Sequence, residues 1–178
     1  LFNLRRMLMN KSFIIKIIIL CLVTIKVSAI EKIVLYGDSL MAGYGLPKEQ
    51  HLSNVLQKNL KLDGLNIEIM NGSVSGSTSS GGLNRAEWTL SENDIDLMIL
   101  CLGANDMLRG INPKETKNNL EMIIKIAQDK NIIVIIAGMI APSSYGIEYK
   151  KIFDKIFADL SKQYNLQLIP FLLEGVAQ

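Results

Sequence analysis

Histidine occurs once in this chain, at His51, so a single imidazole is all that the sequence offers as a general base. Cysteine occurs twice, at Cys21 and Cys101. Cys21 lies in an apolar N-terminal stretch and Cys101 has no partner after it, which excludes a disulfide framework in the body of the chain. Cys101 sits in an apolar run and is expected to be a small buried hydrophobe. The glycine-rich phosphate cradles, Gly-x-x-x-x-Gly-Lys-Ser/Thr and Gly-x-Gly-x-x-Gly, are missing. So is the Gly-x-Ser-x-Gly elbow. Lysine and arginine total 19 against 17 acids, too even a balance for a nucleic-acid footprint. No internal repeat or low-complexity tract is visible.

What is present suits one globular domain: 178 residues, 49% of them apolar, which excludes a disordered chain. The first thirty residues read differently. Arg5, Arg6 and Lys11 precede the apolar run SFIIKIIILCLVTI, and Val27-Ser28-Ala29 supplies the small residues of a cleavage site. Residues 1–29 are therefore expected to be a secretory signal peptide cut after Ala29, and the protein to be exported, to a periplasm. The uninterrupted apolar run, Ile17 to Ile25, is shorter than the ~20 residues that a bilayer span needs, so no stable membrane span is expected after cleavage. Loss of Arg5, Arg6, Lys11, Lys16 and Lys26 leaves 14 basic against 17 acidic residues, a formal charge of −3.

Strand-like apolar runs fall at 33–36, 66–70, 95–102, 132–137 and 166–169. Helical spacing fills the gaps. Residues 47–61 carry Leu52, Val55, Leu56 and Leu60 on one face, and 113–130 opens with Pro113 at a first helical position. Over 147–164, Ile152, Ile156, Phe157 and Leu160 recur on one face. Alternation of this kind predicts an α/β fold with a parallel, doubly wound sheet.

In such a sheet, ligands gather at the carboxyl ends of the strands. The first run breaks at Gly37-Asp38-Ser39. The second is followed by NGSVSGSTSSGG, residues 71–82, a loop of small residues through which backbone amides can approach a ligand. The third ends in Gly103-Ala104-Asn105-Asp106. A hydroxyl, a glycine-rich backbone and a carboxamide on one rim are the inventory for attack on an acyl carbonyl: a serine oxygen as nucleophile, with amide donors for the oxyanion. Each signal alone has an ordinary explanation, a capped turn or a flexible loop. Their order at three successive strand ends is what points to chemistry. Asp38 and Asp106 are expected to fix these loops by accepting backbone hydrogen bonds. Met139, Ile140, Pro142 and Tyr145 after the fourth run, with Tyr44 and Met107, are candidates for an apolar substrate wall, or for ordinary packing beneath a loop.

These blocks resemble those of the SGNH (GDSL) hydrolases over residues 32–178. YGDSLMAGYG looks like the first block, NGSVSGSTSSGG the second and LGANDMLRG the third. PSSYG at 142–146 and LIPFLLEGV at 168–176 are most similar to the branch of small exported arylesterases, acyl thioesterases and lysophospholipases. The resemblance implies a three-layer α/β/α sandwich with a flavodoxin-like sheet, and a serine hydrolase of acyl esters or thioesters that uses no metal or cofactor. It makes Ser39 the nucleophile. The backbone N–H groups of Ser39 and Gly76 and the side-chain amide of Asn105 become the oxyanion hole. Carbohydrate acetylesterase, acyltransferase and non-catalytic binding module remain alternatives.

Two departures stand out. Ser77 replaces an Asp common in that branch, and Ala104 replaces a Gly. The family's last block, Asp-x-x-His, has no counterpart before Gln178. The domain at 30–178 is accordingly expected to be truncated at its C-terminus and, as given, inactive for want of the histidine and aspartate. His51 is expected to pack the first helix or lie at the surface rather than to act as the base.

Overall fold

The inner runs, at 33–36 and 95–102, become strands because nearly all their side chains are buried, where a continuous Val/Ile/Leu pattern is favoured over alternation; the runs at the edges of the sheet are more exposed. The computed structural model describes residues 30–91 and 94–176; the segment read as a signal peptide lies outside these. The strands are β1 (Lys32–Gly37), β2 (Glu68–Asn71), β3 (Leu97–Cys101), β4 (Ile133–Ala137) and β5 (Gln167–Ile169). All pair in parallel, in the order β2-β1-β3-β4-β5. β1 lies between β2 and β3, so the chain steps to one side of it and then to the other. The crevice at the carboxyl ends of β1 and β3 is where a doubly wound sheet binds its ligand.

Helices cover both faces, giving the three layers expected. On one side lie the short α1 (Ser39–Ala42) and α2 (Leu52–Leu62). On the other, α3 (Ser79–Thr89), α5 (Pro113–Asp129) and α6 (Ile147–Tyr164) pack in sequence, and the five-residue α4 (Ala104–Leu108) follows β3. α5 starts where its sequence says it should. Asn112 accepts the Lys114 N–H at 3.0 Å, and Pro113 occupies the first turn without wasting a donor. Its stripe Leu120, Ile123, Ile124 and Ala127 is fully buried against strand residues Val34, Met98, Leu100, Val134 and Ile136. At the far end of the layer, Asn165 closes α6 in a left-handed conformation, φ 52°.

Three expectations need correction. The loop predicted at 71–82 ends early, because Thr78 caps α3 by accepting the Gly81 N–H and Ser79 to Gly82 form its first turn. Gly82 is there for packing: a Cβ would sit 2.3 Å from Leu102 Cδ1. The helix predicted at 47–61 is split into a 3-10 turn, Lys48–Gln50, and α2, with His51 extended between them. α2 packs against the edge strand β2, and its Val55 is exposed. Gln57 donates to the carbonyl of Ile67, just before β2, and accepts from the N–H of Ile69 within it. In α6 the buried stripe runs through Phe153, while the predicted Ile152 is exposed.

Among the described residues, no helix covers the α2 face of the sheet toward β4 and β5. Ile99 and Ile135, paired in register, are half-buried there, and Ile133 and Ile169 on the same face are exposed. Among the described residues, no helix is long and apolar enough to cross a membrane.

Candidate active site

Gly37 ends β1 because nothing larger fits. A Cβ there would lie 2.7 Å from the carbonyl oxygen of Cys101 on β3 and 2.6 Å from Met41 Cγ. The first of these is backbone and cannot turn aside. Gly37→Ala is expected to cost about 1–3 kcal/mol by prising β1 from β3, read as a fall in the urea midpoint; an unchanged midpoint would remove this account of the glycine.

Immediately after it, the buried Asp38 caps α1, its Oδ1 accepting the Leu40 N–H at 3.1 Å. The capped turn presents Ser39, half-buried, on the rim. On β3's side, Asn105 in α4 donates from Nδ2 to Asp38 Oδ2 at 3.3 Å and to the Ser77 carbonyl at 3.2 Å. One carboxamide thus ties together the ends of β1, β2 and β3. Gly76, exposed and with φ +78°, lies next to that Ser77 carbonyl, and its own carbonyl accepts from Arg109 Nη2 at 3.0 Å. The residues singled out by sequence, Ser39, Gly76 and Asn105, therefore belong to one linked cluster.

Two further groups hold the cluster in place. Arg85 of α3 donates to the carbonyls of Gly37 and Gly72, at 2.9 and 3.0 Å, and so pins the ends of β1 and β2. Its guanidinium lies 4.0 Å from the centroid of the Tyr36 ring, whose hydroxyl donates to Gly82 O. Burial pushes that phenol up to about 12. Asp106, fully buried, accepts from the Ser79 N–H at 2.7 Å, the Ser79 hydroxyl and Thr116 Oγ1, joining α3, α4 and α5. Both acids fix loops, as expected of them. Sequence reasoning missed Arg85; its spacing from the Thr78 cap, two turns into a helix that faces β1, was the available signal.

Burial raises the Asp38 carboxyl above its ordinary 3.8, against the opposing pull of the Leu40 and Asn105 hydrogen bonds. Folded Asp38 keeps its proton to a higher pH than unfolded Asp38. Its contribution to stability is therefore complete below 3.8 and is lost as the pH rises through the folded value. The stability of the protein relative to Asp38→Asn is expected to fall on going from acid to neutral pH, in urea titrations at fixed ionic strength. A difference that grows with pH would refute the sign.

His51 is taken up elsewhere. Its Nε2 faces the Leu46 carbonyl at 3.0 Å, and the ring lies against Gly43. Of the predicted apolar wall, Met107 and Met139 are buried in the core, whereas Tyr44 and Ile140 are exposed. Cys101 is buried as expected, and burial pushes its thiol up to about 12. Among the described residues, no group of three or more His, Cys, Asp or Glu is placed to hold a metal.

Residues 35–178 match the GDSL-like Lipase/Acylhydrolase family. The chain belongs to that family. It is 38% identical to the arylesterase of Vibrio mimicus over 148 residues, which are 83% of this acylhydrolase and 74% of that protein. Against Esterase TesA of Pseudomonas aeruginosa the identity is 35%, over 84% of this chain and 74% of the relative. The fold superimposes on AlinE4, a SGNH-hydrolase family esterase, with a TM-score of 0.80 at 38% identity, covering 86% of this chain and 82% of that one. The acylhydrolase is thus an α/β/α sandwich of the SGNH type, of a class acting on ester bonds.

Proposed function

We propose that this acylhydrolase cleaves carboxylic esters and thioesters, of the aryl ester, acyl thioester or lysophospholipid kind, by a covalent mechanism centred on Ser39. The single observation that carries the reading is the bridge from Asn105 to Asp38 and Ser77, which sets a carboxamide donor between a strand-end serine and a small-residue loop. Ser39 Oγ adds to the carbonyl carbon. Its own backbone N–H, the N–H of Gly76 and Asn105 Nδ2 share the charge on the oxyanion. Both contacts of Asn105 are long, 3.2 and 3.3 Å, so a negatively charged oxygen can draw one N–H away from either. Collapse expels the alcohol or thiol, and water releases the acid. A base takes the serine proton and returns it to the departing alcohol or thiol; the family resemblance gives that role to a histidine of an Asp-x-x-His block rather than to His51, which is engaged with the Leu46 carbonyl. No metal or cofactor enters the scheme.

The names of the relatives, an arylesterase and a thioesterase 1/protease 1/lysophospholipase L1 of Escherichia coli, support this substrate range. The basic and apolar residues before Ala29 support export to the periplasm as a domain starting at Ile30. A panel of p-nitrophenyl esters, acyl thioesters, lysophospholipids and acetylated sugars tests the range. Turnover confined to the sugars would replace the reading with a carbohydrate esterase. Mass spectrometry of the secreted protein tests the leader, with Ile30 expected as its first residue.

A further inference from the structure

Arg109 stands at the rim of the site as a cation without a carboxylate. Its backbone is fixed by the way α4 ends: Gly110, at φ +65°, donates to Met107 O at 3.0 Å, and the Ile111 N–H returns to Asp106 O at 2.9 Å. The side chain leaves the chain four residues after Asn105, on the same side of the turn. Asn105 Nδ2 donates to the Ser77 carbonyl at 3.2 Å and Arg109 Nη2 to the Gly76 carbonyl at 3.0 Å, so the two side chains lie alongside one another against consecutive peptides of the loop between β2 and α3.

That hydrogen bond uses one of the five N–H donors of a guanidinium. Arg109 is exposed, and among the described residues it takes part in no ion pair. The acids of the rim are turned elsewhere. Asp38 accepts from Leu40 and Asn105, Asp106 accepts from Ser79 and Thr116, and both are fully buried. A positive charge with spare donors is thus open to solvent about one helical turn, ~5.4 Å, from the carboxamide offered to the oxyanion.

We propose that Arg109 binds the phosphate of a lysophospholipid, on the leaving-alcohol side of the ester. The proposal rests on the Ser39 reading above and deepens it, selecting one of the substrate kinds named there. A guanidinium fork can meet two phosphate oxygens at once. An aryl ester carries no anion, and an acyl thioester has none beside its carbonyl. In a lysophospholipid only the carbons of glycerol separate the ester from the phosphate, a reach comparable to one helical turn. Because the phosphate departs with the alcohol, Arg109 selects the alcohol and leaves the choice of acyl group to other residues.

The test uses ligands that cannot be cleaved, so it needs no catalytic base. Calorimetry compares the hexyl ether of glycerophosphocholine with the hexyl ether of glycerol, which lacks the phosphate. The first is expected to bind about tenfold more tightly, and the preference to shrink in high salt. Arg109→Gln should bring the ratio close to one. Arg109→Lys, which keeps the charge without the fork, should leave an intermediate ratio. Ser77→Asp sets a carboxylate next to the Gly76 carbonyl and should also depress the ratio; it decides if thermal unfolding shows that Arg109→Gln does not fold. Ser39→Leu, which crowds the rim, should weaken both ethers by a similar factor. Inorganic phosphate should bind more weakly than the phosphocholine ether.

A ratio near one in the unaltered protein, or a preference that Arg109→Gln leaves intact, would overturn the phosphate site while leaving Ser39 in place. Inorganic phosphate binding as tightly as the ether would make Arg109 a general anion site and overturn the substrate assignment. A preference lost in Arg109→Gln, with neither ether sensitive to Ser39→Leu, would instead place the bound ligand away from Ser39 and count against the function proposed above.

Discussion

In a chain that carries the family's Asp-x-x-His block, Ser39→Ala is expected to lower ester hydrolysis by about 10⁴-fold or more, the scale on which removal of a covalent nucleophile acts when its partners work as a unit. The fold should survive the change. Ser39 is half-buried, its carbonyl rather than its hydroxyl takes the loop hydrogen bonds, and the Asp38 cap on α1 depends on the Leu40 N–H. Stability should therefore stay within about 0.5 kcal/mol, as for surface changes away from structural features. Initial rates on a p-nitrophenyl ester, with circular dichroism on the same samples, make the comparison. More than a few per cent of the activity surviving in a folded variant would assign the nucleophile elsewhere.

In the same completed chain, Asn105→Ala is expected to lower turnover by about 10²–10³ with little change in the Michaelis constant, because an oxyanion-hole carboxamide meets full negative charge only in the transition state. A second loss follows from the structure. Asp38 Oδ2 and the Ser77 carbonyl both lose their donor, so the loop between β2 and α3 loosens against α4. Asn105→Asp separates the two effects: it keeps the shape of the side chain, removes the donor and places a carboxylate against Asp38. It should be at least as inactive as the alanine variant and less stable. An effect confined to the Michaelis constant would make Asn105 a substrate contact instead.

The sheet was legible because β1, β3 and β4 are continuous apolar runs that set the spacing of the whole, and α5 because Asn112, Pro113 and a four-residue stripe agree with one another. Helix α3 was not. Its opening Ser79-Ser80-Gly81-Gly82 has poor helix propensity, and what holds it is tertiary: the Thr78 cap, Asp106 on the Ser79 N–H, and Gly82 packed on Leu102. The site could be named from three strand ends without any view of how they are joined. The bridge through Asn105 and the clamp through Arg85 link residues 13 to 67 positions apart, a separation at which local pattern carries no signal. The substrate wall fared worst. Position after a strand said that Met107 and Met139 lie near the site, but not that they turn inward.

The placement of β1 between β2 and β3 also governs what the chain leaves unpaired while it is being made. Lys32 finds its partner at Glu68 and Ile33 its partner at Leu97, so β1 is made first and is flanked on both sides only once β3 has been made. At ~5–20 residues per second, the roughly 64 residues from Ile33 to Leu97 take about 3–13 s to synthesise. Through that interval the apolar row Val34-Leu35-Tyr36 has an open edge and no native neighbour on the β3 side. It is the segment that a holding chaperone should engage, and release should follow the emergence of Cys101.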